Sequence, residues 1–354
     1  MHSYLNHQAK VFNPITRMAA EGMPVALYSQ VRLIRNLHEF PFPVSASKEA
    51  LRDVNEEIIG VIARDLQGFL TLTADDLDVL DKRFCVERKW AIKRWERQEI
   101  GAISVAPASG MTLTINEEDH ISIRTLLGGL NLIHAYERGN SVDNTFSRQL
   151  VYAFDRQLGY LTTKPIRAGL GLLACVCVHI PALVWGGKMT PLSLAARAIG
   201  CNIVGFNGRE SSTDDDLFII SNRPTFENDE ITVLKRLHNF TEMVIESEKT
   251  ARKSFLERME MRLCDRFCRV LAVLQNAKII EMKEAQVLLM QMRLATDLQW
   301  LPLEFRPKID DLLIRLRPAH LKAEYAIAEG QEDSTRAEVL HATFANVQFT
   351  TGAV

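Results

Sequence analysis

The chain has 354 residues, of which 47% are hydrophobic and 24% carry a charge. A globular protein of this length can bury a large core, and two domains are expected. The formal net charge at pH 7 is only −2. This excludes the strongly basic proteins that bind nucleic acids or membrane surfaces through charge, and we expect neither as a partner.

The first half of the chain alternates between helix and strand patterns. Residues 48–65 carry apolar side chains at helical spacing, and Ser47 can cap the first turn of that helix. Thr73 precedes two acidic residues, which predicts a second helix start. Two short strands follow at 101–105 and 111–115, joined by a turn. The remaining predictions for this half are helices at residues 120–131 and 145–158.

The second half changes from strands to helices. Residues 169–180, 203–206 and 214–221 predict strands, since each is a short apolar run. From residue 229 the apolar positions follow a helical period that continues beyond residue 299. We place a domain boundary near residue 250, inside this helical region.

Neither a secretory signal nor a membrane span is predicted. The first 23 residues mix charged and polar side chains and contain no continuous apolar block, so a cytoplasmic location is expected. Residues 168–187 are apolar, but His179, Pro181 and several glycines interrupt them. A buried strand followed by a helix fits this segment better than a membrane helix.

The cysteine pattern predicts buried thiols and no metal site. No two cysteines form a CxxC pair, and a cytoplasmic chain of this size does not need disulfides. Cys264 and Cys268 share a helix face, but no histidine cluster accompanies them. The six cysteines are Cys85, Cys175, Cys177, Cys201, Cys264 and Cys268.

An acidic cluster follows the second strand of the predicted hairpin. It reads Asn116-Glu117-Glu118-Asp119-His120, and the hairpin places the two glutamates at the rim of a sheet. Taken alone, such a run is also typical of a solvated acidic turn. Segments on both sides of it give the cluster more weight. They are residues 29–36 (SQVRLIRN), 40–43 (FPFP), 154–163 (FDRQLGYLTT), 179–184 (HIPALV) and 217–223 (LFIISNR).

In this order and at these distances, the segments resemble the bacterial protein-arginine kinases, which share a superfamily with creatine and arginine kinases. The resemblance extends from about residue 23 to the last helices. Metabolic phosphagen kinases carry a helical domain before the motif that begins here at Ser29, so the bacterial branch is the better match.

The resemblance implies an α+β fold, in which helices flank an antiparallel sheet and an all-α domain follows. This is the phosphagen kinase catalytic fold, found also in glutamine synthetase-like guanido kinases. We divide the chain into an N-terminal segment (1–22), a catalytic domain (23–250) and a helical C-terminal domain (251–354). A homodimer is expected from the resemblance alone.

Phosphoryl transfer to a guanidine needs cations that hold the triphosphate and carboxylates that orient a permanently charged guanidinium. The resemblance implies that Glu118 is one of the two guanidine-binding acids, and hence catalytic. It also implies that Arg32 binds the nucleotide. Arg32 belongs to a motif in which the relatives have two arginines, and here the other one is Gln30.

Further positions depart from the family pattern. Ser122, Leu173 and Val204 stand where the relatives carry nucleotide-binding arginines, and Ser212 stands where they carry the second catalytic glutamate. Lys164 replaces a cysteine of the guanidine site, where a cation would repel the substrate. One transition-state arginine can be worth about 10³- to 10⁵-fold in rate, so these losses predict very slow phosphorylation.

New charges close to the lost ones could compensate. We predict that Arg124, Arg167 and Arg209 bind the nucleotide, because each lies near a position that has lost its arginine. Glu210 and residues 214–216, all aspartates, could hold magnesium. Alternatively, Arg209 pairs with these acidic neighbours and has no role toward the nucleotide.

The C-terminal segment resembles the helical domain of the same kinases, which ends in a phosphoarginine-binding motif. Asp333 and Arg336 match that motif and are predicted to bind phosphoarginine, but Glu332 replaces its leading arginine. An acidic side chain disfavours a phosphoryl group there. A surface helix with an N-terminal acid pair is the alternative.

Three functional hypotheses follow. The leading one is a pseudokinase that binds or regulates a protein partner. The second is an active kinase that uses ATP and Mg²⁺ to phosphorylate protein arginine residues through a rebuilt phosphate clamp. The third is an adaptor whose helical domain docks substrates to proteolytic machinery.

Overall fold

A computed structural model describes residues 25–206, 216–224 and 229–349. Its centre is an eight-stranded antiparallel sheet in the order β2-β3-β4-β5-β1-β8-β10-β9, and β6 and β7 form a separate hairpin. The strands are β1 (Ala26–Arg35), β2 (Leu70–Thr73), β3 (Ala102–Ala106), β4 (Met111–Ile115), β5 (Ile121–Gly128), β6 (Phe154–Asp155), β7 (Gly159–Tyr160), β8 (Leu172–His179), β9 (Cys201–Gly205) and β10 (Leu217–Asn222).

Helices flank this sheet and form the whole C-terminal region that is described, which confirms the predicted α+β class. The helices are α1 (Lys48–Asp65), α2 (Val79–Glu87), α3 (Leu132–Ser147), α4 (Pro181–Trp185), α5 (Met189–Ala198), α6 (Glu230–Asn276), α7 (Met282–Asp297), α8 (Phe305–Arg315), α9 (Pro318–Tyr325) and α10 (Glu332–Phe344). Single 3₁₀ turns occur at Ala74–Asp76, Lys93–Arg97, Pro107–Ser109 and Pro165–Arg167.

Local sequence explains where α1 begins. The side chain of Ser47 accepts a hydrogen bond of 3.1 Å from the backbone N–H of Ala50, as the predicted N-cap requires. Val54 and Ile58 then follow at a spacing of four residues, and both are buried against the sheet. The apolar face of α1 therefore covers one side of the sheet.

The two faces of the sheet pack against different helices. On one face, Leu33 and Ile123 belong to a core shared with α1, α3 and the start of α6. On the other face, Tyr28, Leu126 and Cys177 belong to a core shared with the C-terminal helices. The C-terminal helices are thus joined to the central sheet through apolar burial, the dominant favourable term in folding.

Polar contacts reinforce this union. His320 of α9 contacts Glu87 through Nδ1 at 2.8 Å and accepts a hydrogen bond from Arg88 Nε at 2.8 Å. In α6, Arg252 donates from Nη2 to the carbonyl of His179 at 2.9 Å. The proposed boundary near residue 250 falls inside α6, whose backbone leaves helical geometry only at Met259. That boundary stays a prediction.

Two predicted helices were wrong. Residues 121–128 form strand β5, which pairs with both β4 and β1, and the helix that follows is α3, at 132–147 instead of 145–158. In β5, apolar Ile121 and Ile123 alternate with polar Ser122 and Arg124. This period of two is the strand pattern, but buried polar side chains on its second face hid it.

The other predictions for apolar segments fare better. Residues 168–187 contain β8 and α4, and among the described helices none is long and apolar enough to cross a membrane. Burial of the cysteines is only partly as predicted. Cys85, Cys177 and Cys201 are buried, whereas Cys268 is exposed.

Candidate active site

The acidic cluster forms the tight connection between β4 and β5. Asn116 adopts a positive φ of 57°, and its N–H donates to the carbonyl of His120 at 3.0 Å, which closes the turn. Asparagine tolerates this left-handed conformation better than most residues. Glu117 is 0% and Glu118 is 5% exposed. The solvated acidic turn is therefore wrong, because both carboxylates are buried.

Glu117 binds the two arginines that face it from neighbouring strands. Arg32 of β1 and Arg124 of β5 are directly paired in the sheet register, so their side chains lie side by side. Arg32 Nη2 is 3.2 Å from Glu117 Oε2, and Arg124 Nη2 forms an ion pair with the same oxygen. Glu117 Oε1 accepts from the N–H of Ile92 at 2.7 Å, and Thr114 Oγ1 donates to Oε2 at 3.2 Å.

Both arginines also have partners besides Glu117. Arg32 Nε donates to Ser122 Oγ at 2.6 Å. Arg124 Nη1 donates to Thr114 Oγ1 at 2.7 Å and to the carbonyl of Trp90 at 3.1 Å. Burial and the neighbouring charge of Arg124 lower the pKa of Arg32 to about 9. Burial opposes ionisation of Glu117, yet the two guanidiniums bring its pKa below the usual value.

The four substituted arginine positions all lie on the sheet face that carries Arg32. Ser122 and Leu173 are on the strands beside β1, where Leu173 is paired with Arg32 itself. Gln30 lies two residues earlier on β1 and donates to the carbonyl of Lys89 at 3.4 Å. Val204 of β9 lies on the same face, farther along the sheet. This face thus presents amide, hydroxyl and apolar groups at those four positions.

Glu118 is held by two cations from one loop. Lys164 Nζ is 2.5 Å from Oε1, and Arg167 Nη1 forms an ion pair with Oε2. Burial would raise the pKa of Glu118, but the hydrogen bond from Lys164 and the charge of Arg167 lower it. Glu118 therefore stays ionised and already binds a guanidinium, that of Arg167.

Asp119 fixes this loop and the segment after β1. Its Oδ1 accepts from Asn36 Nδ2 at 2.8 Å and from the N–H of Thr163 at 2.6 Å. His120 Nδ1 accepts from the N–H of Leu37 at 3.0 Å, and burial lowers the pKa of His120 to about 4. The imidazole is thus neutral and acts as a structural contact.

Sequence reasoning singled out Glu118 and Arg32, whose roles stay predictions, but missed what surrounds them. Glu117, Asn36 and Thr163 make the contacts that hold the site together, and each belongs to a motif already noted for the resemblance. Their position within those motifs was a usable signal.

The predicted nucleotide-binding arginines that the structure describes bind two adjacent carboxylates. Arg124 joins Arg32 at Glu117, whereas Arg167 binds Glu118. Arg209 lies outside the described residues, as do Glu210, Ser212, Asp214 and Asp215. Asp216 is described and buried.

Arg336 has a packing role in the C-terminal helices. It is 1% exposed, and its guanidinium donates to the carbonyls of Ile280 at 2.7 Å and Leu316 at 3.0 Å. Asp333 pairs with it, and Glu332 is 2.9 Å from Lys322 Nζ. The alternative, a surface helix with an N-terminal acid pair, fits α10, because Glu332 and Asp333 lie in its first turn and only one of its faces is buried. Phosphoarginine binding stays a prediction that this geometry does not favour.

Comparisons with known proteins agree with the geometry. Residues 52–251 match the ATP:guanido phosphotransferase, C-terminal catalytic domain, and residues 260–352 match the protein-arginine kinase McsB C-terminal domain. A protein-arginine kinase of an Exiguobacterium species is 32% identical over 97% of this chain and 98% of its own length. The protein-arginine kinase of Brevibacillus brevis is also 32% identical, over 91% of this chain and 93% of its own length.

Solved structures show the same fold at lower identity. Lombricine kinase has a TM-score of 0.58 and 18% identity, and the alignment covers 67% of this chain and 71% of that one. The duplicated taurocyamine kinase from Schistosoma mansoni with bound transition state analog components has a TM-score of 0.57 and 19% identity. That alignment covers 68% of this chain and 35% of the other.

Proposed function

The chain belongs to the ATP:guanido phosphotransferase family, in the group of the protein-arginine kinases, and within it we propose a member with lost or strongly reduced phosphoryl transfer. Its function is then to bind or regulate a protein partner. One observation carries this proposal. On the sheet face that carries Arg32, here called the nucleotide face, Arg32 and Arg124 are both bound to the buried carboxylate of Glu117.

The donors that the described residues of this face offer are a poor match for Mg²⁺-bound ATP. A triphosphate needs several cations that are free to turn toward it. Arg32 and Arg124 face a carboxylate at the centre of the site, and Leu173 and Val204 have no polar group to offer. Each missing charge-assisted hydrogen bond removes about 1.5–3 kcal/mol. Four lost positions therefore predict weak binding of the triphosphate.

A second candidate function, an active ATP- and Mg²⁺-dependent protein-arginine kinase, has one observation in its favour. Four cations surround Glu117 and Glu118: Arg32, Arg124, Lys164 and Arg167. The charge of Arg167 is close enough to lower the pKa of Arg32. The cluster around these two glutamates is therefore net positive, and a rearrangement could turn part of it toward phosphate.

Other aspects of the function are proposals that follow from the family. The partner is a protein, either one that presents arginine side chains or one that the helical C-terminal domain docks to proteolytic machinery. We expect a cytoplasmic homodimer. Light scattering on the purified protein tests the dimer.

A titration with Mg-ATP tests the proposal. A ligand that binds only the folded state raises the unfolding temperature, and at about 100 times its Kd it adds about 2.7 kcal/mol of stability. We expect no shift for this protein at millimolar Mg-ATP, and a shift of several degrees for the Exiguobacterium relative as the positive control. A shift of equal size in both proteins would favour the active kinase.

A further inference from the structure

The loop that carries Lys164 and Arg167 places a guanidinium on the carboxylate that the family pattern assigns to the substrate. Lys164 takes one oxygen of Glu118 and Arg167 the other. A guanidinium on a buried carboxylate is the interaction that an incoming arginine side chain would make. Glu118 therefore already has an occupant of the substrate's chemical class, supplied by the chain itself.

Backbone contacts fix the position of this occupant. Thr163 donates its N–H to Asp119 at 2.6 Å and its hydroxyl to the carbonyl of Glu118 at 2.7 Å. The turn closes through Arg167 N–H to the carbonyl of Lys164 at 2.8 Å, and Thr162 Oγ1 donates to the same carbonyl at 2.7 Å. The two bonds of Thr163 thus hold residues 162–167, the basic turn, against the acidic cluster, and the other two bonds close the turn itself.

The local charge also opposes a second guanidinium. Two cations at one carboxylate leave a net charge of about +1, and like charges at close range disfavour each other by Coulomb repulsion. The side chains of Lys164 and Arg167 are 54% and 24% exposed, whereas that of Glu118 is 6% exposed. The basic turn therefore lies between the carboxylate and solvent.

We infer that Lys164 and Arg167 determine what the Glu118 subsite accepts, and that they exclude an external guanidinium by occupying it. This inference rests on the proposed function in taking Glu118 as the guanidine-binding acid. It adds a second, separate reason for low activity. On the nucleotide face Arg32 and Arg124 are bound to Glu117, and the acceptor subsite is filled from within the chain.

Binding of an arginine peptide without ATP tests this inference. We expect Lys164→Met/Arg167→Met to bind N-acetyl-arginine amide at least about tenfold more tightly than the wild type, as one recovered charge-assisted pair allows. Adding Glu118→Gln should abolish the gain. The matched control is Arg156→Met/Lys188→Met, which removes two exposed cations elsewhere. Equal binding by all variants, or a gain that persists with Glu118→Gln, would overturn the inference.

A measurement on the unmodified turn covers the case that the double variant fails to fold. Modification with phenylglyoxal, followed by peptide mass spectrometry, should label Arg167 more slowly than exposed Arg156, and Glu118→Gln should speed labelling of Arg167 alone. Equal rates at both arginines would contradict the inference. So would phosphorylation of Arg167 after incubation with Mg-ATP, since Arg167 would then be a substrate. Failure of these tests leaves the ATP titration untouched.

Discussion

Glu117→Gln should destabilise the protein strongly, although it changes one oxygen to an amide nitrogen. Glu117 is fully buried and is the carboxylate that Arg32 and Arg124 share, while their side chains are only 8% and 4% exposed. Removing its charge leaves two buried guanidiniums facing an amide. Breaking a buried ion pair from one side costs about 3–5 kcal/mol, and the amide oxygen recovers part of this. We expect a loss of about 3 kcal/mol in the free energy of unfolding.

Urea denaturation followed by tryptophan fluorescence measures this loss. The matched control is Glu99→Gln, because Glu99 pairs with Lys48 at 2.8 Å and both side chains are more than two-thirds exposed. Exposed pairs contribute little, so the control should unfold close to the wild type. If Glu117→Gln loses less than about 1 kcal/mol, the carboxylate is not what holds the arginines.

Glu117→Gln should also change how the protein binds anions. With the carboxylate gone, Arg32 and Arg124 become available to another anion. Inorganic phosphate should therefore raise the unfolding temperature of Glu117→Gln more than that of the wild type. Equal shifts would show that Glu117 does not compete with phosphate for these side chains.

Three further predictions concern pH, packing and thiol reactivity. The pKa of His120 is lowered from about 6.5 to about 4 in the folded protein, so the unfolded state takes up the proton at higher pH. The free energy of unfolding should therefore fall by about 3 kcal/mol as pH drops from about 6.5 to 4. His120→Gln should flatten this pH dependence when unfolding by urea is measured across that range. Arg336→Met leaves the Ile280 and Leu316 carbonyls without their donor. It should lower the free energy of unfolding by about 2–4 kcal/mol in the same urea assay. A loss well below this would contradict the packing role of Arg336. Iodoacetamide should label exposed Cys268 first, and early labelling of a buried cysteine in the mass spectrum would argue against the fold.

The sequence predicted the parts of the site that depend on local pattern. The hairpin and the turn residues placed Glu118 at the end of a strand, and the chain order of the motifs indicated the fold. The contact between Arg167 and Glu118 could not be predicted in this way. It joins residues 49 positions apart and depends on how Thr163 bonds to Asp119, which only the folded loop determines.

Strand β5 shows a second limit. Its buried polar face carries Ser122 and Arg124. These two side chains can be buried because Arg32 and Glu117 satisfy their hydrogen bonds and charge. Read alone, these residues suggest a solvent-facing helix side. Tertiary partners thus reversed a local assignment. The burial of Arg336 likewise depends on the distant Ile280 and Leu316 carbonyls.

Phosphoarginine detection tests the central claim most directly. The protein is incubated with Mg-ATP and an unfolded basic protein, and peptides are analysed by mass spectrometry under conditions that preserve phosphoarginine. We predict no labelling above the Glu118→Gln variant, while the Exiguobacterium relative labels the same substrate. Robust labelling that disappears with Glu118→Gln would contradict the account and establish an active kinase.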